Sequence, residues 1–181
     1  IEGVDTIADY KNYVFENKAA QQRQRRMKGI FEIASKAVLA HTEFAPIGDD
    51  NEWYRTLYSG TMIQLETMAQ QTGKSVDEIM PEALRMSGKT ADECRRALKE
   101  MCEEHVKLGA LGLYYARQNG IEYTREESIA RIQAYLPQTG LENTAAVNEN
   151  MLISDIIQRY TEYFQKTISE YYEDKIQVVL Q

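Results

Sequence analysis

The sequence predicts an all-α protein, and three observations support this. Apolar residues recur at intervals of three and four along most of the 181 residues, the spacing of a single helix face. At four predicted helix starts a Thr or Ser precedes an acidic residue by three positions, as in a capping box. The chain contains three prolines, a residue that breaks helix interiors. We therefore expect several helices and no sheet.

The first predicted helix begins after the capping-box pair Thr6 and Asp9. Residues 16–26 are almost wholly polar but contain no helix breaker, and apolar spacing resumes from Met27 to His41. Such a helix would span roughly 50 Å. With apolar residues at both ends and a polar middle, we expect it to bridge or protrude. The apolar positions of its first turns are Ile7, Tyr10 and Val14.

A connector and a second helix come next. Residues 42–50 include one proline and one glycine, which favour a connector. Asp49 is predicted to cap the second helix together with Glu52, and residues 72–74 are predicted to end it. The apolar positions of this helix include Trp53, Tyr54, Leu57, Tyr58, Met62, Leu65, Met68 and Ala69.

The third predicted helix is short. Ser75 and Glu78 form a capping-box pair, and the pattern extends through Met86. Proline is tolerated in the first turn of a helix, but Pro81 lies beyond that turn. We therefore expect a kink or an early end at this proline.

The fourth predicted helix is long, running from a Thr90–Glu93 capping box to Asn119 and Gly120. At 1.5 Å per residue it would measure about 45 Å, more than a compact domain of this size needs to cross its core. Its predicted apolar stripe consists of Ala91, Cys94, Leu98, Met101, His105, Leu108, Leu111 and Tyr115.

Two glycines, Gly109 and Gly112, lie inside this long helix. A glycine in a helix interior costs up to about 1 kcal/mol relative to alanine. Close approach of another helix explains this cost better than a ligand does. We therefore predict a tight contact between helices at these two positions.

Two more helices complete the prediction. Thr124 with Glu127 starts a short one, and apolar spacing from Met151 to about Tyr172 indicates a long one. Around residues 141–150 the pattern favours a turn and at most a short helix. The final residues, 175–181, fit a strand, a packed extended tail or a frayed end.

Composition limits the functional class. A net charge of −7 argues against direct binding to nucleic acid or to an anionic membrane surface, because both rely on clustered cations. No apolar run reaches the roughly 20 residues of a membrane span. Cys94 and Cys102 are about 12 Å apart along one helix, too far for a disulfide, which favours a reducing cytoplasmic setting. Because the chain begins with Ile1, we expect it to be a fragment of a longer protein.

Catalytic patterns are not recognisable in the sequence. His41 and His105 lie on different predicted helices without a second ligand at zinc spacing, so neither a metal nor a cofactor is expected. Carboxylates flank Cys94 and Cys102, and nearby negative charge disfavours a reactive thiolate. We therefore do not expect this chain to be an enzyme.

Seven Met and twelve Tyr residues stand out instead. Methionine is flexible and polarisable, and it is common both in cores and on surfaces that accept many partners. The pattern does not separate these two roles. The candidate client-binding residues are Trp53, Tyr54, Leu57, Tyr58, Met62, Leu65, Met68, Met80 and Met86.

Three stretches, taken in order, resemble the C-terminal, client-binding domain of trigger factor, the bacterial ribosome-associated chaperone. They are the opening GVDTIADYKNYV, the connector HTEFAPI, and the segment MPEALRMSGKT through the long helix to GIEYTREESIARI. The resemblance covers nearly the whole chain. The connector departs from the family pattern, since FAPIGDD replaces the usual proline–glutamate helix start.

The resemblance implies a single, elongated helical domain, residues 1–181, in which a body carries two arm-like projections that form a cradle. It also implies ATP-independent binding of unfolded or nascent polypeptides. The parent protein would carry an N-terminal ribosome-docking domain and an FKBP-like prolyl isomerase domain. Both are absent from this chain.

Two other hypotheses remain open. A helical scaffold or dimerisation module would use the same Met and Tyr residues as an interface, including one between two copies of the chain. A related helical arrangement occurs in SurA-like extracytoplasmic foldases, whose peptide-binding domain is the nearest rival.

Overall fold

The computed structural model describes residues 6–135 and 147–176, and all regular structure within these ranges is helical. The all-α prediction is therefore confirmed. The predicted turn at residues 141–146 and the end of the predicted tail, 177–181, lie outside the described residues. The helices are α1 (Ile7–Ala40), α2 (Glu52–Thr72), α3 (Val76–Ala83), α4 (Ala91–Gln118), α5 (Arg125–Tyr135) and α6 (Glu149–Tyr172).

Four helices begin at the predicted capping boxes. At the start of α4, the Glu93 amide donates to Thr90 Oγ1 at 3.3 Å, and the Thr90 amide donates to Glu93 Oε2 at 2.8 Å. Each box satisfies two backbone amides that the first helical turn leaves without a partner. The confirmed pairs are Thr6 with Asp9, Ser75 with Glu78, Thr90 with Glu93 and Thr124 with Glu127.

The predicted cap of α2 is wrong. Asn51 caps this helix, and its Oδ1 accepts from the Tyr54 amide at 3.0 Å. The Asn51 amide donates to the Gly48 carbonyl at 2.9 Å and closes a turn, so Asp49 lies inside that turn rather than at the helix start. Asn and Asp cap helices about equally well, so residue type alone could not choose between them.

Helix α3 ends at Ala83, three residues before the end of the predicted pattern. Pro81 lies inside the helix and has no amide to donate. Arg85 then adopts a left-handed conformation with φ of 55°. The helix thus ends before Met86, as expected, but two residues after the proline rather than at it.

The chain divides into two compact units, with a boundary between Phe164 and Gln165 inside α6. The first unit holds α1 and the last turns of α6. The second unit holds α2, α3, α4, α5 and the first turns of α6. The single-domain organisation implied by the family resemblance stays a prediction.

The core of the second unit forms where α2, α3 and α4 meet. Two clusters of buried apolar side chains lie there, and half-buried Met62 of α2 and Leu84, which follows α3, pack against both. The first cluster consists of Leu65, Ala69, Ile79, Met80 and Cys94. The second consists of Tyr54, Leu98, Cys102 and Val106.

The two interior glycines of α4 lie against α6, as predicted. A Cβ atom placed on Gly112 would lie 1.8 Å from the backbone oxygen of Tyr160. A Cβ on Gly109 would lie 3.1 Å from side-chain atoms of Ile157 and Trp53. Only glycine at position 112 lets the backbones of α4 and α6 come this close.

The buried face of α4 is rotated from the predicted stripe. Met101 was placed on that stripe but is 52 % exposed, and Tyr115 is exposed as well. The physical reason is that small residues let neighbouring helices approach, whereas the prediction followed the largest apolar side chains. The residues that α4 buries are Cys94, Leu98, Cys102, Val106, Gly109, Leu111, Gly112 and Ala116.

In the first unit, the middle and end of α1 pack against the last turns of α6. Ser169 Oγ donates to the Met27 carbonyl at 3.3 Å, and Arg23 pairs with Glu173 at 3.3 Å. Ile30, Ala34 and Ser35 of α1 are buried. Of the three apolar positions predicted for the first turns of α1, Ile7 and Tyr10 are exposed and Val14 is half-buried.

Candidate functional site

Three of the nine predicted client-binding residues belong to the core. Tyr54, Leu65 and Met80 are buried and lie in the two clusters between α2, α3 and α4. They are inaccessible to a client in this conformation, so the structure corrects their placement on an exposed surface. Apolar side chains at helical spacing fit a buried face equally well, which is why the sequence did not separate the two.

Five more of the nine are half-buried and cover the same clusters. Met62 packs against both clusters. The Trp53 ring stacks 6.5 Å from the ring of Tyr160, and the Tyr58 ring stacks 6.1 Å from that of Tyr54. These residues serve mainly to close the core, and the ones that do so are Trp53, Leu57, Tyr58, Met62 and Met86.

Met68 is the one predicted residue that is clearly exposed, at 45 %. Ile63 on the same helix is exposed too, but five positions place the two side chains on different sides of α2. The methionines of this region thus mostly pack in or against the core, where their flexible side chains fill irregular gaps. Whether its exposed edge binds clients stays a prediction.

A second set of exposed apolar side chains lies on the first turns of α1. Ile7 is 78 % exposed and Phe15 is 75 % exposed, and two tyrosines lie between them. We call this set the α1 apolar surface, and its residues are Ile7, Tyr10, Tyr13 and Phe15.

The α1 apolar surface wraps around its helix. Tyr13 and Phe15 lie about 160° apart around the axis, because successive helical residues are separated by about 100°. One flat helix face cannot cover both side chains at once. A flexible partner that bends around the helix can contact them together.

Polar residues bound this surface on the chain. Residues 16–26 contain no large apolar side chain and carry several charges, among them Arg23 and Arg26, which bond to Glu173. A polar segment on this side keeps an exposed apolar patch small and limits self-aggregation.

Ile7 and Tyr10 lie on a predicted apolar stripe of α1, but they are not among the nine predicted binding residues. The signal for a surface here was the presence of two more large apolar residues, Tyr13 and Phe15, which fall outside that stripe. Four large apolar residues spread around one short helical stretch cannot all be buried by a single neighbouring helix.

The second unit also contains two open cavities, both polar in part. One, of about 430 Å³, is lined by residues of α2 and α6 that include Glu52, Tyr58 and Glu149. The other, of about 380 Å³, lies between α5 and α6, where Arg131, Asp155 and Met151 line it. Neither cavity holds a histidine or a cysteine among its lining residues.

Burial shifts the pKa of two side chains of α4. Burial raises the pKa of the Cys102 thiol, which lowers the fraction of reactive thiolate. Burial also lowers the pKa of His105, against an opposing effect from Glu104.

Over residues 6–135 and 147–176, no group of three His, Cys, Asp or Glu side chains could hold a metal ion. Among the same residues, none of the helices has the length and hydropathy needed to cross a membrane.

Comparison of the chain with protein-family models, with curated proteins and with solved structures finds no match.

Proposed function

We propose that this chain is an ATP-independent chaperone domain that binds unfolded or nascent polypeptides through exposed apolar side chains on its helices. The observation that supports this most is the α1 apolar surface, whose four large side chains are exposed and are followed along the helix by the polar residues 16–26. The resemblance of the sequence to the client-binding domain of trigger factor agrees with it.

The size of the α1 apolar surface favours weak and reversible binding. Its four side chains offer on the order of 500 Å² of apolar area, from the 150–250 Å² that one aromatic side chain can bury. Stable interfaces bury about 800 Å² on each partner. The entropy lost when a flexible client associates and becomes ordered offsets most of the free energy that such a small area provides, so one surface holds a client only weakly and several surfaces must act together.

The same reasoning extends to the parent protein. We propose that it carries the ribosome-docking and prolyl isomerase domains of the trigger factor family, and that it acts in the cytoplasm. The body-and-arms architecture of that family is part of this proposal. The free, buried state of Cys94 and Cys102 agrees with a reducing compartment.

The test is suppression of aggregation. A chemically unfolded, aggregation-prone protein is diluted into buffer with a several-fold molar excess of this chain, and light scattering is followed. We expect wild type to reduce scattering and the variant I7Q/Y10Q/Y13Q/F15Q to lose most of this effect. These four side chains are mainly exposed, so the variant should keep its fold, which far-UV circular dichroism verifies.

The matched control is I63Q/M68Q/M101Q/Y114Q, which replaces four exposed apolar side chains of the second unit. We expect it to retain most of the suppression. If wild type leaves scattering unchanged, the chaperone function is rejected. If the control loses the effect and the α1 variant keeps it, clients bind the second unit instead.

A helical dimerisation module is the second candidate, because the α1 apolar surface could also pair two copies of the chain. Sedimentation velocity across a wide range of protein concentration distinguishes the two. A tight dimer that the variant I7Q/Y10Q/Y13Q/F15Q abolishes would favour the dimerisation module. A monomer throughout favours client binding.

A further inference from the structure

Four ion pairs join α5 to α6 among the described residues. Arg131 pairs with Asp155 at 3.3 Å and with Glu162 at 3.0 Å. Arg159 pairs with Glu127 at 3.0 Å. A fourth pair joins Arg125 to Glu149 at 2.8 Å.

The apolar contribution of α5 is small. Ile132 is its one buried hydrophobic residue, and the other residue it buries is Ser128. An isolated helix of 11 residues is marginal in water, so α5 depends on its contacts with α6. The four ion pairs among these contacts are partly exposed, which makes them sensitive to salt.

Among the described residues, three buried polar atoms of this contact also find no hydrogen-bond partner. They are Ser128 Oγ on α5, and Asp155 Oδ2 and Arg159 Nη1 on α6. Each atom gives up hydration when α5 docks, unless a water molecule enters and loses its own freedom. Docking of α5 is therefore favoured by less free energy than docking of an apolar helix would be.

Helix α3 offers an internal comparison. It has 8 residues, and Arg95 of α4 pairs with its Asp77. However, α3 also buries Ile79 and Met80 in the first core cluster. Apolar contacts of this kind are not weakened by salt.

We propose that α5 is a latch, held by charge, that releases from α6 as a unit while α2, α3 and α4 remain folded together. Release exposes Ile132 and opens the cavity of about 380 Å³ that Ile132, Tyr135 and Met151 line. The physical claim stands on the contacts of α5 alone. Its use, to offer further apolar surface to a client, rests on the proposed chaperone function.

The test is hydrogen exchange measured by mass spectrometry on the free chain. From about 0.1 M to about 1 M NaCl the screening length falls from about 10 Å to about 3 Å. We expect amides of residues 125–135 to exchange about tenfold faster at high salt. Amides of α3 and α4 should change less than about twofold.

Two variants sharpen the experiment. Arg131→Gln removes two of the four pairs, so it should speed exchange in α5 about tenfold at low salt and reduce the salt effect. The matched control Arg95→Gln removes the pairs of Arg95 with Asp77 and Asp92 and should leave exchange in α3 within about twofold of wild type.

The proposal is overturned if salt leaves exchange in α5 unchanged, or if α3, α4 and α5 respond to salt equally. If Arg131→Gln does not fold, the salt series on wild type still decides. The outcome is independent of the aggregation assay because no client is present. A latch without chaperone activity and a chaperone without a latch are therefore distinguishable results.

Discussion

Helix α4 and the first turns of α1 begin in the same way but differ in how far their apolar side chains are buried. Each starts with a capping box, and each carries apolar residues at helical spacing. Yet α4 buries a continuous face against its neighbours, whereas Ile7, Tyr10 and Phe15 of α1 are exposed. A helical apolar stripe is therefore no guide by itself to whether a helix face is covered.

The small residues separate the two cases. The buried face of α4 includes two glycines, two cysteines and an alanine, so a neighbouring backbone can come close. The first turns of α1 present large side chains around much of the helix. A helix that packs tightly needs room for its partner, and small residues provide that room.

The largest expected effect comes from filling the space that Gly112 of α4 leaves for the backbone of α6. Gly112→Ala should destabilise the protein by at least about 3 kcal/mol, because its Cβ would meet the backbone of Tyr160 at 1.8 Å. Backbone cannot rotate away, so α4 and α6 must separate. Urea unfolding followed by circular dichroism measures the loss, and a folded protein with an unchanged midpoint would contradict the close contact.

Two glycines provide matched controls. A Cβ on Gly109 would meet only side-chain atoms at 3.1 Å, so Gly109→Ala should stay within about 1 kcal/mol of wild type. Gly60 of α2 has nothing within 4 Å of the added atom, so Gly60→Ala should stabilise by up to about 1 kcal/mol.

Local signals made much of the fold predictable. Thr90 with Glu93 fixed a helix start, Pro81 an early end, and Gly112 a close contact, because each depends on chemistry within a few residues. The predicted capping residue of α2 was wrong because Asp49 and Asn51 are both good caps. The turn that decides between them is closed by the hydrogen bond from the Asn51 amide to the Gly48 carbonyl.

The candidate site was harder to predict because burial is a property of the whole structure. Met80 and Met68 have the same side chain and lie in neighbouring helices, yet one is fully buried and the other is exposed. Which of them faces a neighbour depends on how α2, α3 and α4 pack. Sequence spacing does not contain that information.

The second prediction tests the rotated face of α4 at two adjacent positions. Cys102 is buried in the second cluster, and Cys102→Ser should cost about 2 kcal/mol because a hydroxyl would lose its hydration there. Met101 is mostly exposed, and Met101→Gln should change the free energy of unfolding by less than about 0.5 kcal/mol. The urea midpoints of the two variants are compared. A larger loss of stability for Met101→Gln than for Cys102→Ser would show that α4 buries the predicted stripe after all.

The smallest effect separates a packed helix from an exposed one that has the same cap. Thr90→Ala should lower the free energy of unfolding by about 1 kcal/mol, because α4 unfolds with the core. Thr6→Ala removes the same kind of cap from the exposed end of α1. It should speed amide exchange in the first turns of α1 while the urea midpoint stays unchanged, since these turns open without the rest of the protein.

The pH dependence gives the cap of α4 a second test. The Thr90 amide and hydroxyl hydrogen-bond to Glu93 and hold the pKa of its carboxyl below the ordinary 4.5. A lowered pKa in the folded state means that ionised Glu93 stabilises the protein above pH 4.5, and that this stabilisation is lost as the pH falls through the lowered value. Thr90→Ala keeps the amide but removes the hydroxyl, so the difference between wild type and variant should shrink in acid. A difference that stays constant from neutral pH into acid would show that the Thr90 hydroxyl does not act on Glu93.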